Sequence, residues 1–353
     1  MSRQSRKLDH IKYALALDDG PATTGFQDIQ LIHNALPELA FHEVDLSVTF
    51  MGISLVHPVI INAITGGNDD VAAVNAALAA LAAKTKSAMA VGSQFAAVAK
   101  GQGYHSYEVI RQQNPDGIVF ANLGAHASWQ EAQAAVDMIG ANALQIHLNA
   151  AQEMIMPEGD RSFKGYLDNI ATIASHLSVP VVVKEVGNGI AREQAEALCG
   201  AGIQAIDVGG AGGTNFVAIE ASRKPQENRF SQDWLYWGIP TALSALEVKS
   251  ALKNSVDLMI SGGVRTPIEA AKALAIGAKA VGIAAPWLRF LSQQNEAEAI
   301  AYLDDFLLEL KKFMLLCGAD NPLQLAKRPF VITGFTREWL TARQIDITSY
   351  ALR

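Results

Sequence analysis

Two places in this sequence gather side chains that can do chemistry. His147, Asn149, Gln152 and Glu153 fall within seven positions, directly after the apolar run Ala143-Leu144-Gln145-Ile146. A single histidine at a strand end is more often a satisfied hydrogen-bonding group. Four polar groups in one loop favour a ligand pocket instead. Glu153 is the candidate Mg²⁺ ligand, because magnesium takes one or two carboxylates and completes its shell with phosphate oxygens and water. The second place is Lys184, a lone cation closing the apolar run Val181-Val182-Val183. Burying an ammonium without a partner is costly. Lys184 therefore either pairs with Glu185 or Asp207, or offers its charge to something bound.

Three glycine-bearing runs say what could be bound. Asp207-Val208-Gly209-Gly210-Ala211-Gly212-Gly213-Thr214 holds four glycines and a hydroxyl; Ser261-Gly262-Gly263-Val264-Arg265 and Gly277-Ala278-Lys279-Ala280-Val281-Gly282-Ile283-Ala284 follow it. Glycines let backbone amides approach a phosphate closely, and the start of the next helix adds a favourable dipole. Any one run could be no more than a tight turn. Together they point to a phosphate site with Arg265 as a fixed cation. With a phosphate held there, Lys184 suits the electron-rich edge of a flavin, whose reduced anionic form it would stabilise. Asn122, Ser93 and Gln94 could hydrogen-bond the ring, and Thr65-Gly66-Gly67 offers a close-approach turn. Near the start, Arg6-Lys7 with His10 forms a compact basic cluster suited to a diphosphate, since Arg grips phosphate oxygens bidentately and Lys adds a point charge. A solvated basic terminus is the alternative.

These residues need a frame, and the chain supplies a regular one. Short β-rich runs return eight times, each followed by a turn and an Ala/Leu-rich helical pattern: 59–63, 88–91, 117–121, 143–147, 181–184, 205–208, 257–260 and 280–283. Helices are expected over 70–86, near Glu108, and over 128–139, 165–177, 192–200, 241–252, 267–276 and 296–316. Apolar strands buried on both faces, alternating with helices, make an all-parallel sheet, and eight is the closing number for a barrel. An open doubly wound sheet is the competing arrangement. The unusual polar residues decide for the barrel, because they stand at the C-terminal ends of most of the runs rather than at one switch point. The expected architecture is an α/β (β/α)₈ TIM barrel over 59–316, forming a single domain with an N-terminal extension, 1–58, and a C-terminal tail, 317–353.

Bulk properties agree. Half the residues are apolar and 18% are charged, so a chain of 353 residues can bury a large core without disulfides or metals. Cys199 and Cys317 lie in helical patterns and read as small buried hydrophobes in a reducing compartment. The formal charge of -7 argues against nonspecific binding to nucleic acid or an anionic membrane. No signal peptide or bilayer-spanning stretch is expected, which makes the protein cytoplasmic.

Taken together, the residues resemble the type 2 isopentenyl-diphosphate isomerases over nearly the whole chain. The likeness rests on Arg6-Lys7-Leu8-Asp9-His10, Thr65-Gly66-Gly67, Gly92-Ser93-Gln94, Asn122-Leu123-Gly124 and His147-Leu148-Asn149-Ala150-Ala151-Gln152-Glu153. Val183-Lys184-Glu185-Val186-Gly187, the run from Gly209 to Thr214 and Ser261-Gly262-Gly263-Val264-Arg265 complete it. The His-Leu-Asn…Gln-Glu string and the Arg-Lys pair are particular to that family; the glycine runs are shared by many FMN barrels. The resemblance implies isomerisation of isopentenyl diphosphate to dimethylallyl diphosphate by a 1,3-proton shift on reduced FMN, with Mg²⁺, NADPH as reductant, and a homo-oligomer of four or eight subunits. It assigns FMN to Ala63, Ile64, Thr65, Gly66, Ser93, Asn122, Lys184, Thr214, Gly262, Gly263, Arg265, Ala284 and Ala285. It assigns substrate to Arg6, Lys7, His10, Ser93, Gln94, His147, Asn149 and Gln152, metal to Glu153, and catalysis to Gln152, His147 and Lys184. Glu220 and Arg223 are weaker candidates for a lid. One departure is visible: Asn215-Phe216 stands where the family often has Ser-Trp, which bears on packing over the flavin.

Rival readings are distinguishable. A 2-hydroxyacid oxidase barrel needs a histidine base beside late arginines, and the late loops supply Arg265 without one. A barrel dehydrogenase of the inosine-monophosphate type needs a nucleophilic cysteine in a glycine loop, whereas Cys199 lies in a helical pattern. A non-catalytic flavin- or phosphate-binding protein would bind without turnover.

Overall fold

In the computed structural model, residues 11–17, 19–64, 66–67, 71–223, 231–252, 255–293 and 295–353 are described. Eight parallel strands close into a barrel: β1 (Val59–Ile61), β2 (Ala88–Ala90), β3 (Val119–Gly124), β4 (Ala143–Leu148), β5 (Val181–Glu185), β6 (Ala205–Asp207), β7 (Asp257–Ser261) and β8 (Ala280–Ile283). Closure is made by β8 pairing with β1, Gly282 opposite Ile60. The helices expected over 192–200, 267–276 and 296–316 have those bounds. Local signals explain such ends. Ser128 accepts from the Glu131 amide while Glu131 reaches back, a capping box that starts the helix Trp129–Ile139. Thr266 and Glu269 repeat it before Pro267, and Gly277, at φ 116°, stops that helix.

Strand alternation builds two layers inside the barrel. Successive residues point to opposite faces, so Val59, Val119, Ala121, Val181, Val183, Ile206 and Ile260 meet the surrounding helices. Ile60, Phe120, Ala143, Val182, Ala205 and Met259 fill the interior. The next inward position on each of those strands is polar: Asn62, Asn122, Gln145, Lys184, Asp207 and Ser261. The lower barrel is therefore an apolar plug, and a polar floor lies above it at the C-terminal mouth.

The segment before residue 59 closes the other end. Strands Val48–Phe50 and Ile53–Leu55 form an antiparallel hairpin around Met51 and Gly52, both at positive φ (52° and 79°), as a tight two-residue hairpin turn requires. Phe50 and Leu55 join the interior cluster, and the Met51 amide donates to Asp257 at 2.8 Å. The tail packs on this extension, Ile29–Leu31 pairing antiparallel with Phe330–Ile332. Helices Phe95–Lys100, Ala150–Ile155, Phe216–Arg223 and Ala285–Ser292, which the periodicity does not reveal, all lie in loops at the C-terminal mouth. No helix of the described residues is long and apolar enough to cross a membrane.

Candidate active site

A cavity of about 270 Å³ opens at that mouth. Ala63, Ile64, Gly66, Ser93, Asn122, Lys184, Thr214, Gly262, Gly263, Arg265, Ala284 and Ala285 line it, as do His147, Asn149, Gln152 and Glu153. Arg6, Lys7, His10 and Thr65 lie outside the described residues.

Gln94 departs from expectation. It is fully buried, its amide donating to the Ala135 carbonyl at 2.9 Å and accepting from the Asn122 amide at 3.0 Å. Its neighbour Ser93 takes the cavity side of the same loop. The Gln94 side chain thus braces β3 against the helix Trp129–Ile139 and, contrary to expectation, does not line the cavity.

The floor is one connected hydrogen-bond chain, and its polarity follows from its anchor. Asp207 is fully buried, and an ionised carboxylate only accepts. Asn62 must therefore present its nitrogen, at 2.9 Å, which leaves its oxygen to accept from Gln145 at 3.0 Å. The Gln145 oxygen then accepts from Asn122 at 3.1 Å, and the Asn122 oxygen faces His147 Nδ1 at 2.9 Å. An oxygen there requires Nδ1 to carry the proton. The orientation of His147 is thus fixed from four side chains away.

Lys184 forms the expected ion pair with Asp207 and also lines the cavity. Its ammonium stands 3.2 Å from Asp207 and donates to Ser261 Oγ at 3.2 Å and to the Glu185 carbonyl at 3.0 Å, while still lining the cavity. Ser261 in turn donates to Asp207 at 2.6 Å. Glu185 turns to the other face of β5, where its carboxylate caps the Gly187 and Asn188 amides at 2.7 and 2.5 Å. Burial pushes its carboxyl up to about 7, against the opposing pull of those amides and of Lys184.

The glycine turns form the opposite wall. An added Cβ would come within 2.2 Å of the Gly210 oxygen at Gly262 and within 2.3 Å of the Gly212 oxygen at Gly263, and both have positive φ, 104° and 85°. The turns after β6 and β7 therefore touch backbone to backbone. The Gly262, Gly263 and Ala284 amides find no acceptor among the described residues, and Ala285 opens the helix Ala285–Ser292. Unsatisfied amides beside a helix start suit a phosphate. Arg265 joins this wall through a two-pronged pair with Asp19, at 2.9 and 2.7 Å.

Near β4, the Asn149 amide donates to Glu153 at 2.9 Å, and Gln152 donates to Glu220 at 2.8 Å. Glu220 is 1% exposed and bonds Arg223. The two are buried supports, not a lid. Phe216 lines the cavity. Asn215 holds the loop beneath it, donating to the Leu235 carbonyl at 2.9 Å and accepting from the Ala218 amide at 3.1 Å. Among the described residues, no three His, Cys, Asp or Glu side chains are arranged to hold a metal. Sequence reasoning passed over Asn62 and Gln145, whose signal was a polar residue at an inward strand position. Nothing in the sequence marked Asp19 as Arg265's partner.

The family model described as FMN-dependent dehydrogenase matches residues 111–331. An isopentenyl-diphosphate delta-isomerase of Symbiobacterium thermophilum is 45% identical over 99% of this chain and 98% of its own length. Its counterpart from Moorella thermoacetica is 44% identical over 98% of each chain. Among solved structures, a lactate oxidase of Pediococcus acidilactici superposes with a TM-score of 0.69 at 16% identity, over 94% of each chain. A mandelate oxidase with (S)-2-phenylpropionate gives 0.65 at 17% identity, over 93% of this chain and 97% of that one. At such identities these likenesses speak for the fold alone.

Proposed function

The chain belongs to the type 2, FMN-dependent isopentenyl-diphosphate delta-isomerase family, and from that premise we infer that it converts isopentenyl diphosphate into dimethylallyl diphosphate on bound reduced FMN, in isoprenoid biosynthesis. The observation that carries this reading is one cavity lined both by glycine turns with unsatisfied amides and by the group His147, Asn149, Gln152 and Glu153. One wall suits a nucleotide phosphate and the other a second, polar ligand.

The residues fit FMN. The Gly262, Gly263, Ala284 and Ala285 backbone would hold the phosphate, with Thr214 and Arg265 beside it. Ser93, Asn122 and Lys184 would meet the ring, and Ala63, Ile64, Thr65 and Gly66 would bound it. When bound, reduced FMN supplies a flat electron-rich face and an exchangeable proton. The chain's part is to bind, orient and shield. Lys184, fixed by Asp207 and Ser261, keeps positive charge at the mouth. Gln152, held by Glu220, presents its amide to the substrate's reacting carbons. His147, with Nδ1 engaged by Asn122, turns Nε2 to the cavity. Together they would orient the alkene for gain of a proton at one end and loss at the other.

Glu153 would bind Mg²⁺ jointly with the diphosphate, and Arg6, Lys7, His10, Ser93 and Asn149 would hold its remaining oxygens. NADPH would keep the FMN reduced. Leu36, Leu323 and Phe335, large and exposed, suit contacts in a homo-oligomer of four or eight subunits, and we place the enzyme in the cytoplasm. An oxidase reading gains nothing from the late loops, since no histidine follows His176 and Arg265 is engaged by Asp19.

The test is direct. Purified protein with FMN, Mg²⁺ and NADPH, free of oxygen, should form dimethylallyl diphosphate from isopentenyl diphosphate. Equal conversion with oxidised FMN or without flavin, or no conversion with reduced FMN, would refute the reading.

A further inference from the structure

A second imidazole stands at the mouth, and nothing said so far uses it. His126 lines the cavity on the turn that leaves β3, between two fully buried alanines, Ala125 and Ala127. That turn is unusually well fixed. The Ala125 amide donates to the His147 carbonyl at 3.3 Å, and the Ala127 amide donates to the Gly124 carbonyl at 3.1 Å. From outside, Asn169 donates to the carbonyls of Ala125 and Ala127 at 2.8 and 2.7 Å, gripping the backbone on both sides of His126. A turn pinned in four places presents one exposed ring. Phe95 packs against that ring edge-on, at 4.4 Å between centroids and 71° between planes.

Its position relative to His147 gives the ring a use. A Cβ on Gly124 would lie 2.7 Å from His126 Nδ1 and 3.2 Å from His147 Nε2, so both imidazoles pack against the same glycine and stand side by side at the mouth. Asn149 and Glu153 follow His147 on the same side of the mouth. Among the described residues, the two cations that line the cavity are already paired, Lys184 with Asp207 and Arg265 with Asp19. The His126 nitrogens have no hydrogen-bond partner among the described residues.

We infer that His126 is a further diphosphate-binding side chain, donating an imidazole N–H to a phosphate oxygen in the cavity that it lines beside His147; this rests on the isomerase reading above. It would act in binding and not in proton transfer, so its loss should appear in KM and not in kcat.

The experiment compares wild type, H126F and H126Q as holoenzymes with FMN, Mg²⁺ and NADPH. KM and kcat for isopentenyl diphosphate are measured beside the affinity of the FMN-loaded protein for inorganic pyrophosphate. A hydrogen bond to a charged group predicts that H126F raises KM and weakens pyrophosphate binding about tenfold or more, with kcat changed less than about twofold. H126Q, which keeps an N–H donor, should recover part of the loss. Unchanged FMN affinity shows that the fold is intact; should H126F lose FMN, H126A is read in its place. An active enzyme whose KM and pyrophosphate affinity ignore these changes overturns the inference and leaves the isomerase reading standing. Pyrophosphate binding that depends on His126 in a protein without turnover does the reverse. Neither turnover nor pyrophosphate binding in wild type overturns both.

Discussion

Replacing Asp207 by Asn should be among the most damaging isosteric changes available in the barrel. Asp207 is fully buried, and its carboxylate accepts from Asn62, Ser261 and Lys184 at 2.9, 2.6 and 3.2 Å. At 3.2 Å, and with an effective dielectric of about 20, the attraction to Lys184 is about 5 kcal/mol. Asn removes it and leaves an ammonium whose side chain is 10% exposed without a counter-charge. The new amide nitrogen also meets donors where an acceptor is needed. Breaking one side of a buried pair costs roughly 3–5 kcal/mol, so D207N should lower the unfolding free energy by about that amount. K184M should cost a similar amount, because Asp207 then loses its cation. The double variant should lose less than the sum of the singles by about 2 kcal/mol or more, since neither charge is stranded. Urea unfolding of the four flavin-free proteins measures all of this. A D207N cost under about 1 kcal/mol, or single costs that add to within about 0.5 kcal/mol, would refute the argument.

Other outcomes follow from the same geometry. G263A places a Cβ 2.3 Å from the Gly212 oxygen at a φ of 85°, so FMN affinity, read by quenching of flavin fluorescence, should fall at least about tenfold, as expected when backbone turns are forced apart. Glu185, raised to about 7 in the fold, holds its proton more tightly folded than unfolded. Stability from this group is therefore present below the unfolded value near 4.5 and is lost as pH rises toward 7. E185Q should flatten that decline between pH 5 and 7.5, relative to wild type, in urea midpoints taken across the range; identical profiles would contradict the burial argument. E153Q should raise the Mg²⁺ concentration for half-maximal rate about tenfold or more while leaving FMN affinity unchanged, as expected where one carboxylate anchors the metal.

The barrel was legible because its signal is repeated. Each of the runs at 181–184, 257–260 and 280–283 is short and largely apolar and is followed by a turn and a helix. The mouth was less legible where a side chain's direction depends on the local turn. Ser93 and Gln94 are adjacent, and only the path of the loop after β2 sends one to the cavity and the other behind β3. Lys184 posed a choice between ion pair and ligand contact that the sequence could not make; the structure shows the ion pair and leaves the ammonium at the cavity's edge, because β5 and β6 place it over Asp207. The short helices Phe95–Lys100 and Ala150–Ile155 escaped for a different reason. Six residues are too few to show a helical period, and such segments hold only by tertiary contact. Asp19 and His126 carried no local signal, since their partners lie far away in the chain or on a turn whose shape Asn169 imposes from outside.

The two walls of the cavity are preorganised by different means, and that difference predicts how each tolerates change. The glycine wall is fixed by backbone: Gly262 and Gly263 abut Gly210 and Gly212, and any side chain there is excluded whatever its polarity. The floor is fixed chiefly by side chains, and its order is set at the end where Asn62 meets the acceptor-only Asp207 and the Ala63 amide. Asn62, Gln145 and Asn122 could each be flipped without steric penalty, since amide oxygen and nitrogen are nearly the same size. What prevents it is Asp207, helped by the Ala63 amide, which donates to the Asn62 oxygen at 2.9 Å; together they force each amide in turn to present its nitrogen toward the carboxylate and its oxygen away. A flip at any link would set two donors or two acceptors face to face in a buried site, at the cost of an unsatisfied polar group. The same carboxylate holds Lys184. One residue that does not line the cavity therefore sets both the charge at the cavity's edge and the orientation of His147 at its mouth.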